Sequence, residues 1–166
     1  AILGNVRRRA EERDSRSVVV TFDPHPPKVI RSDKAPPLLM THLQKCNAMM
    51  ESGMDGVGVV KFTAELSKWD PDSFVRRVLV EWLGVSEVWV GDNFLFGRDR
   101  SGNFSLLRTL GVRYGFDAFK VESVRYKDFV VSSTRIRRLI TDGKVDEAGA
   151  LLGHHYTLVG TVQRGA

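Results

Sequence analysis

Three short stretches of the chain combine residue types that could do chemistry. The first is Thr21-Phe22-Asp23-Pro24-His25-Pro26, where a histidine stands between two prolines. Proline fixes φ, so this loop has few accessible backbone conformations and suits a rigid ligand wall; it equally suits a tight exit from a strand. The second runs from Gly91 to Asn103 and opens Gly91-Asp92-Asn93-Phe94-Leu95-Phe96-Gly97. Phe94 and Phe96 could cover a planar heterocycle while Asp92 and Asn93 meet its polar edge, and glycines such as Gly97 let backbone approach a phosphate. The stretch is neither a Walker loop nor a dinucleotide fingerprint, and the two phenylalanines could instead plug the core beneath the loop. The third is Ser132-Ser133-Thr134-Arg135-Ile136-Arg137, with hydroxyl residues at the opening of a helix. First-turn N–H groups and the positive end of the helix dipole make an anion site there, with Arg137 the arginine placed to meet the anion. The alternative is an ordinary serine cap followed by a solvated basic face.

Other residues that invite a chemical reading carry less. His154 and His155 are adjacent, so they cannot share a helix face, and no Cys or carboxylate stands at zinc-ligand spacing from them. No metal ligand is assigned. Cys46 lies among Leu43, Met49 and Met50 and reads as a small packing residue. Trp69, Trp82 and Trp89 read as packing residues as well.

The elements that must position the three stretches follow from pattern. Residues 1–13 form an amphipathic helix, with Ile2, Val6 and Ala10 spaced by four. Ser17 to Phe22 is a buried strand. The segment from Asp23 to Pro37 holds five of the six prolines and reads as a long, stiffened loop without regular structure. Thr41 caps a helix reaching Met50, and Val57 to Phe62 is a second strand. Asp70 and Pro71 sit as N-cap and first residue of a helix reaching Gly84. Strands at Glu87 to Val90 and Phe116 to Val121 flank a helix over Phe104 to Tyr114. An edge strand over Val124 to Val131 and helices over Ser133 to Asp142 and Val145 to Leu152 follow, and Tyr156 to Val162 resumes strand patterning. Helices alternate with continuous apolar strands. This predicts an α/β fold: a doubly wound, Rossmann-like, mostly parallel sheet with helices on both faces. Open parallel sheets bind ligands beyond the carboxyl ends of their strands, which is where the first two stretches lie.

Composition bounds the class. The 166 residues carry 25 basic against 20 acidic side chains, a formal charge of +5, with 42% apolar and 27% charged residues. A globule of this mass would expose about 8,000 Å² and needs no disulfide or structural metal. Cys46 is the single cysteine, which excludes an intramolecular disulfide and Cys-rich zinc modules. No apolar run is long enough to span a bilayer, the basic cluster follows the first apolar residues in the reverse order of a secretory signal, and a cytoplasmic location is expected. The modest excess of positive charge, spread along the chain, suits phosphorylated small molecules as well as polymers and does not argue for nucleic acid.

Taken together and in this order, the three stretches resemble the FMN adenylyltransferase (FAD synthetase) domain of the bacterial bifunctional riboflavin kinase/FAD synthetase family, of the nucleotidyltransferase superfamily. The likeness covers nearly the whole chain, and Ser132 to Arg137 is similar to a nucleotidyltransferase signature. The resemblance implies that residues 1–153 form the adenylyltransferase-like domain. Residues 154–166 would be a linker and the first strand of a riboflavin kinase domain, which would house riboflavin phosphorylation in a longer parent protein. It implies adenylyl transfer from ATP to FMN, giving FAD and pyrophosphate, with magnesium bridging the ATP phosphates. Asn93, Phe94 and Phe96 with Pro24, His25 and Pro26 would hold the flavin, Asp92 and Gly97 would belong to the same loop, and Ser132, Ser133, Thr134 and Arg137 would hold ATP phosphates. Arg137, Ser133, Thr134 and Asn93 would be the residues closest to the chemistry, the two substrates lying end to end along the sheet's rim.

One departure stands against this. The family opens with a strand and a Gly-rich loop bearing a His-x-Gly-His motif, and no such motif occurs in this sequence. The expected fold therefore lacks the family's first strand, whose loss would leave strand edges unpaired. A flavin- or nucleotide-binding fragment without turnover is accordingly the alternative reading, and a nucleotidyltransferase with another acceptor, such as phosphopantetheine, a third.

Overall fold

The computed structural model describes residues 2–164, so Ala1 of the predicted first helix and Gly165–Ala166 at the end of the segment 154–166 lie outside the described residues. Its elements run α1 (Ile2–Glu12), β1 (Val18–Asp23), α2 (Pro26–Ile30), α3 (His42–Glu51), β2 (Gly56–Lys61), α4 (Pro71–Phe74, continuing as π-helix over Val75–Trp82), β3 (Glu87–Gly91), α5 (Phe104–Tyr114), β4 (Asp117–Val121), β5 (Arg125–Tyr126), β6 (Phe129–Val130), α6 (Ser133–Thr141) and α7 (Val145–Leu152). Among the described residues no helix is long and apolar enough to cross a membrane. The chain divides into two compact units, residues 1–36 with 46–123, and residues 37–45 with 124–166.

In the first unit β1 pairs with β2, and β3 with β4, each in parallel, with Val18 opposite Gly56 and Gly91 opposite Val121. The α/β alternation and parallel pairing agree with expectation, but the strands form separate pairs rather than one sheet. Among the described residues no ladder joins β1 to β3. Side chains of both, including Val18, Val20, Val88 and Val90, instead line a cavity of about 610 Å³ together with Ile2 and Val6 of α1. Helix α1 is tied to β3 by ion pairs from Arg9 and Arg13 to the Glu87 carboxylate, 3.0 and 2.8 Å long. The core consists of Val75, Val78, Leu79, Val90, Phe96, Leu107, Leu110 and Phe116.

Local sequence signals explain most of the boundaries. Asp70 accepts from the Ser73 N–H at 2.9 Å with Pro71 as first helical residue. The Thr41 hydroxyl accepts from the Gln44 N–H while the Gln44 side chain accepts from the Thr41 N–H, a reciprocal capping box. Asn103 caps α5, which ends at left-handed Gly115.

Four local expectations are corrected. The proline-rich segment is not irregular throughout: Pro26 and Pro27 occupy the first turn of α2, where a missing N–H costs nothing. The single edge strand at 124–131 is a tight antiparallel hairpin of β5 and β6, turning at Lys127 with φ +52°. Residues 155–164 form no strand, because no neighbour pairs with them, and Leu158, Val159 and Val162 are exposed. Trp82, read as a packing residue, is largely exposed, its ring lying along β2 at Gly58.

The second unit has its own small core of Ile136, Leu139 and Ala148, with Leu39, Val131 and Ile140 packed against it.

Two predictions follow from the packing. A Cβ at Gly111 would lie 2.5 Å from the Phe116 carbonyl oxygen, a backbone atom that cannot swing aside. Alanine gains about 1 kcal/mol of helix propensity over glycine, but overpacking costs about 1–3 kcal/mol, so Gly111→Ala should leave urea-unfolding stability unimproved or lower. The second concerns the start of the β1–β2 pair, where the Asp55 carboxylate accepts from the Ser17 N–H and hydroxyl at 2.7 Å each. The Ser17 backbone N–H first, then its hydroxyl, hold the Asp55 carboxyl below the usual aspartate range. A depressed carboxyl contributes stability above its unfolded pKa of about 4, and loses it as pH falls through the folded value. Asp55→Asn should therefore lower stability at neutral pH and flatten the decline toward acid in a pH series of unfolding curves.

Candidate functional site

The first two stretches share the first unit, and a run of aromatic rings connects them. Phe22, near the end of β1, lies edge-on to Phe62 at 5.5 Å between centroids and 6.0 Å from Phe74. Phe74 is 6.1 Å from Phe96, which stacks on Phe94 at 5.3 Å. The loop after β1 and the loop after β3 are thus joined through Phe74 in the first turn of α4. Pro24 follows Asp23 through a cis peptide, His25 is the residue before α2, and Pro26 opens that helix.

The loop after β3 starts with a tight turn. The Phe94 N–H donates to the Gly91 carbonyl at 3.1 Å, which puts Asp92 and Asn93 at the two corners, both exposed. The Asp92 carboxylate accepts from the Ser123 hydroxyl at 2.7 Å and from the Ser123 N–H at 3.3 Å. That hydroxyl above all holds the Asp92 carboxyl below the ordinary aspartate range. Further on, Phe96 and Gly102 exchange backbone hydrogen bonds of 3.0 and 2.8 Å, and Arg98 N–H donates to the Trp69 carbonyl at 2.7 Å. Gly97 has φ +72°, and a Cβ there would lie 2.7 Å from Pro71, so this position requires glycine for both conformation and space.

The arrangement sorts the predicted residues. Phe96 is a buried core side chain, and Phe94 is half-buried against it, which agrees with packing under the loop; Phe94 retains an exposed portion beside Asn93. Asp92 spends both oxygens on Ser123. Asn93 presents its amide to solvent from a turn anchored on either side. Ser123 escaped sequence reasoning because its partner is 31 residues away and only the parallel β3–β4 register brings the two strand exits together.

The third stretch belongs to the second unit. Ser132 is the N-cap of α6, its hydroxyl accepting from the Arg135 N–H at 3.3 Å. Ser133 and Thr134 begin the helix and are exposed. Burial of Ile136 and Leu139 fixes the roll of α6. The Arg137 Nε donates to the Pro37 carbonyl at 2.6 Å, which orients the guanidinium and leaves its terminal N–H groups as further donors. The Arg135 guanidinium lies 3.6 Å from the centroid of the Phe129 ring on the hairpin. Neither Pro37 nor Phe129 was signalled by the sequence pattern. Hydroxyls, helix N–H groups and guanidinium are all donors, a set suited to phosphate oxygens rather than to a metal ion. Among the described residues no group of three or more His, Cys, Asp or Glu could hold a metal.

Comparison with known proteins matches residues 1–135 to the FAD synthetase family. Bifunctional riboflavin kinase/FMN adenylyltransferases from Pseudomonas fluorescens, Escherichia coli K12 and Listeria monocytogenes are 37%, 32% and 34% identical to it. Each alignment covers 99% of this chain, which spans about half the length of these relatives, 53%, 53% and 52%. A solved structure described as a macrolide-efflux protein from Streptococcus pneumoniae superposes with a TM-score of 0.78 at 21% identity, over 92% of this chain and 49% of that one. At that identity the likeness speaks for the fold alone.

The geometry separates packing from presentation within one loop. Phe96→Ala should cost about 3–5 kcal/mol in denaturant unfolding, as for other buried aromatic truncations. Asn93→Ala, at an exposed corner, should change stability by less than about 0.5 kcal/mol in the same assay.

Proposed function

Because the chain belongs to the FAD synthetase family, we propose that it transfers the adenylyl group of ATP to FMN, giving FAD and pyrophosphate. The observation that carries this reading is that the family match over residues 1–135 spans the Pro24 loop, the Asn93 turn and the start of α6. Arg137 lies just beyond it.

In this reading the expected nucleotidyltransferase-type doubly wound sheet underlies the two parallel strand pairs. Pro24, His25 and Pro26 form one wall of the flavin site. Asn93 and the exposed part of Phe94 meet the isoalloxazine, while Phe96, Asp92 and Gly97 hold the loop that presents them. The ATP phosphates take up the N–H groups and hydroxyls of Ser133 and Thr134 at the start of α6, and the outer N–H groups of Arg137, whose Nε is occupied by Pro37. An FMN phosphate oxygen attacks the α-phosphorus of ATP, and the bond to the bridging oxygen of the β-phosphate breaks, releasing pyrophosphate. The nucleophile is already an anion, so alignment and charge neutralisation supply the catalysis, and the residues named are donors and cations rather than bases. Magnesium would be supplied with ATP and would neutralise charge on its phosphates. The second activity in the relatives' names, riboflavin phosphorylation, is not assigned to the residues described.

Incubation with FMN, ATP and magnesium, followed by chromatographic detection of FAD, tests the reading. Product that disappears on chelation of magnesium and falls by about 10²-fold or more in Arg137→Ala is the expected outcome. Flavin capture without FAD would favour binding without turnover. Failure to quench FMN fluorescence would exclude both.

A further inference from the structure

The proposed flavin loop is held from outside by a residue with no assigned role. Strands β3 and β4 end in register, Gly91 opposite Val121, so their chains leave the pair side by side. One chain turns at Asp92 and Asn93; the other brings Ser123 alongside. The turn itself has a single backbone hydrogen bond, from Phe94 N–H to the Gly91 carbonyl. Downstream it is fixed by the stacking of Phe94 on buried Phe96. Upstream, the side-chain anchor is the pair of bonds from the Ser123 hydroxyl and N–H to the two Asp92 oxygens, 2.7 and 3.3 Å. Asn93 stands between these two anchors.

We propose that Ser123 is a positioning residue for flavin binding, clamping the Asp92 corner so that the Asn93 amide is held in the orientation that receives the flavin. The proposal rests on the reading of the Asn93 turn as part of the flavin site. Replacing the serine by alanine removes the hydroxyl donor but not the N–H, so the corner loosens while the strands and core stay in place. Threonine keeps the hydroxyl and should restore the clamp. Ser123 acts through Asn93, so its removal should matter little once the Asn93 amide is gone.

The test measures FMN affinity by flavin fluorescence quenching, ATP affinity by calorimetry, and the thermal midpoint, for the unaltered protein, Ser123→Ala, Ser123→Thr, Asn93→Ala and the Ser123→Ala/Asn93→Ala double variant. A charge-assisted hydrogen bond of this kind corresponds to about a tenfold effect, so Ser123→Ala should weaken FMN about tenfold and leave ATP within about twofold. Ser123→Thr should recover most of the loss, and the double variant should bind FMN no more weakly than Asn93→Ala alone. If Asn93→Ala loses FMN affinity and Ser123→Ala does not, the clamp is refuted while the flavin reading stands. If Asn93→Ala leaves FMN affinity unchanged, the flavin reading of the turn fails and the clamp with it. Equal losses for FMN and ATP with a lower thermal midpoint, or additive losses in the double variant, would also overturn the proposal.

Discussion

The arrangement of the first unit depends on ring packing doing what backbone hydrogen bonds do elsewhere. Strands β1 and β2 form one parallel pair and β3 and β4 another, and among the described residues no ladder crosses between them. The contacts that span the interval come from side chains, among them the series Phe22, Phe74 and Phe96. Aromatic contacts of this kind are worth about 0.5–1.5 kcal/mol beyond the area they bury, and they constrain angle as well as distance. Phe96 therefore has two duties: it closes the core above Val90 and Leu107, and it fixes the level at which the loop after β3 leaves the fold.

That constraint propagates outward along the loop. With Phe96 held, Gly97 must pass against Pro71, and the Arg98 N–H meets the Trp69 carbonyl. The entry to α4 thus buttresses the far side of the loop, while Ser123 buttresses the near side through Asp92. Asn93 and part of Phe94 are what such a scaffold presents to solvent. The second unit uses a different device. Its exposed hydroxyls and guanidinium groups are aimed by one capped helix, one carbonyl from the Pro37 segment and one aromatic ring on a short hairpin, above a core of three buried residues.

Most element boundaries were legible because their causes are local. Asp70-Pro71, Thr41 with Gln44, and Asn103 with Gly115 each satisfy helix-end groups from within a few residues, so the helices they bound were readable. The short helix at Pro26 was missed because prolines were read as breakers, although the first turn tolerates them. The apolar run at 156–162 looked like a strand, but a strand exists only where a partner supplies hydrogen bonds. In the site, Asn93, Ser133 and Arg137 stood out by residue type and position, whereas Ser123, Pro37 and Phe129 did not. A serine, a proline carbonyl and a phenylalanine have no distinctive pattern, and the first two act across tens of residues of sequence, whereas Phe129 meets Arg135 only through the fold of the hairpin onto α6.

The sequence by itself determined the alternation of helices and strands, the helix ends, and the three stretches with chemical character, since periodicity and capping are short-range properties of the chain. Only the tertiary structure decided that the strands stand in separate pairs, that Phe96 is a core residue rather than an exposed platform, and that Asp92 is turned toward Ser123. Those outcomes depend on which side chains meet after the chain has closed on itself, and parallel strands bring together residues whose separation along the chain carries no record of the contact.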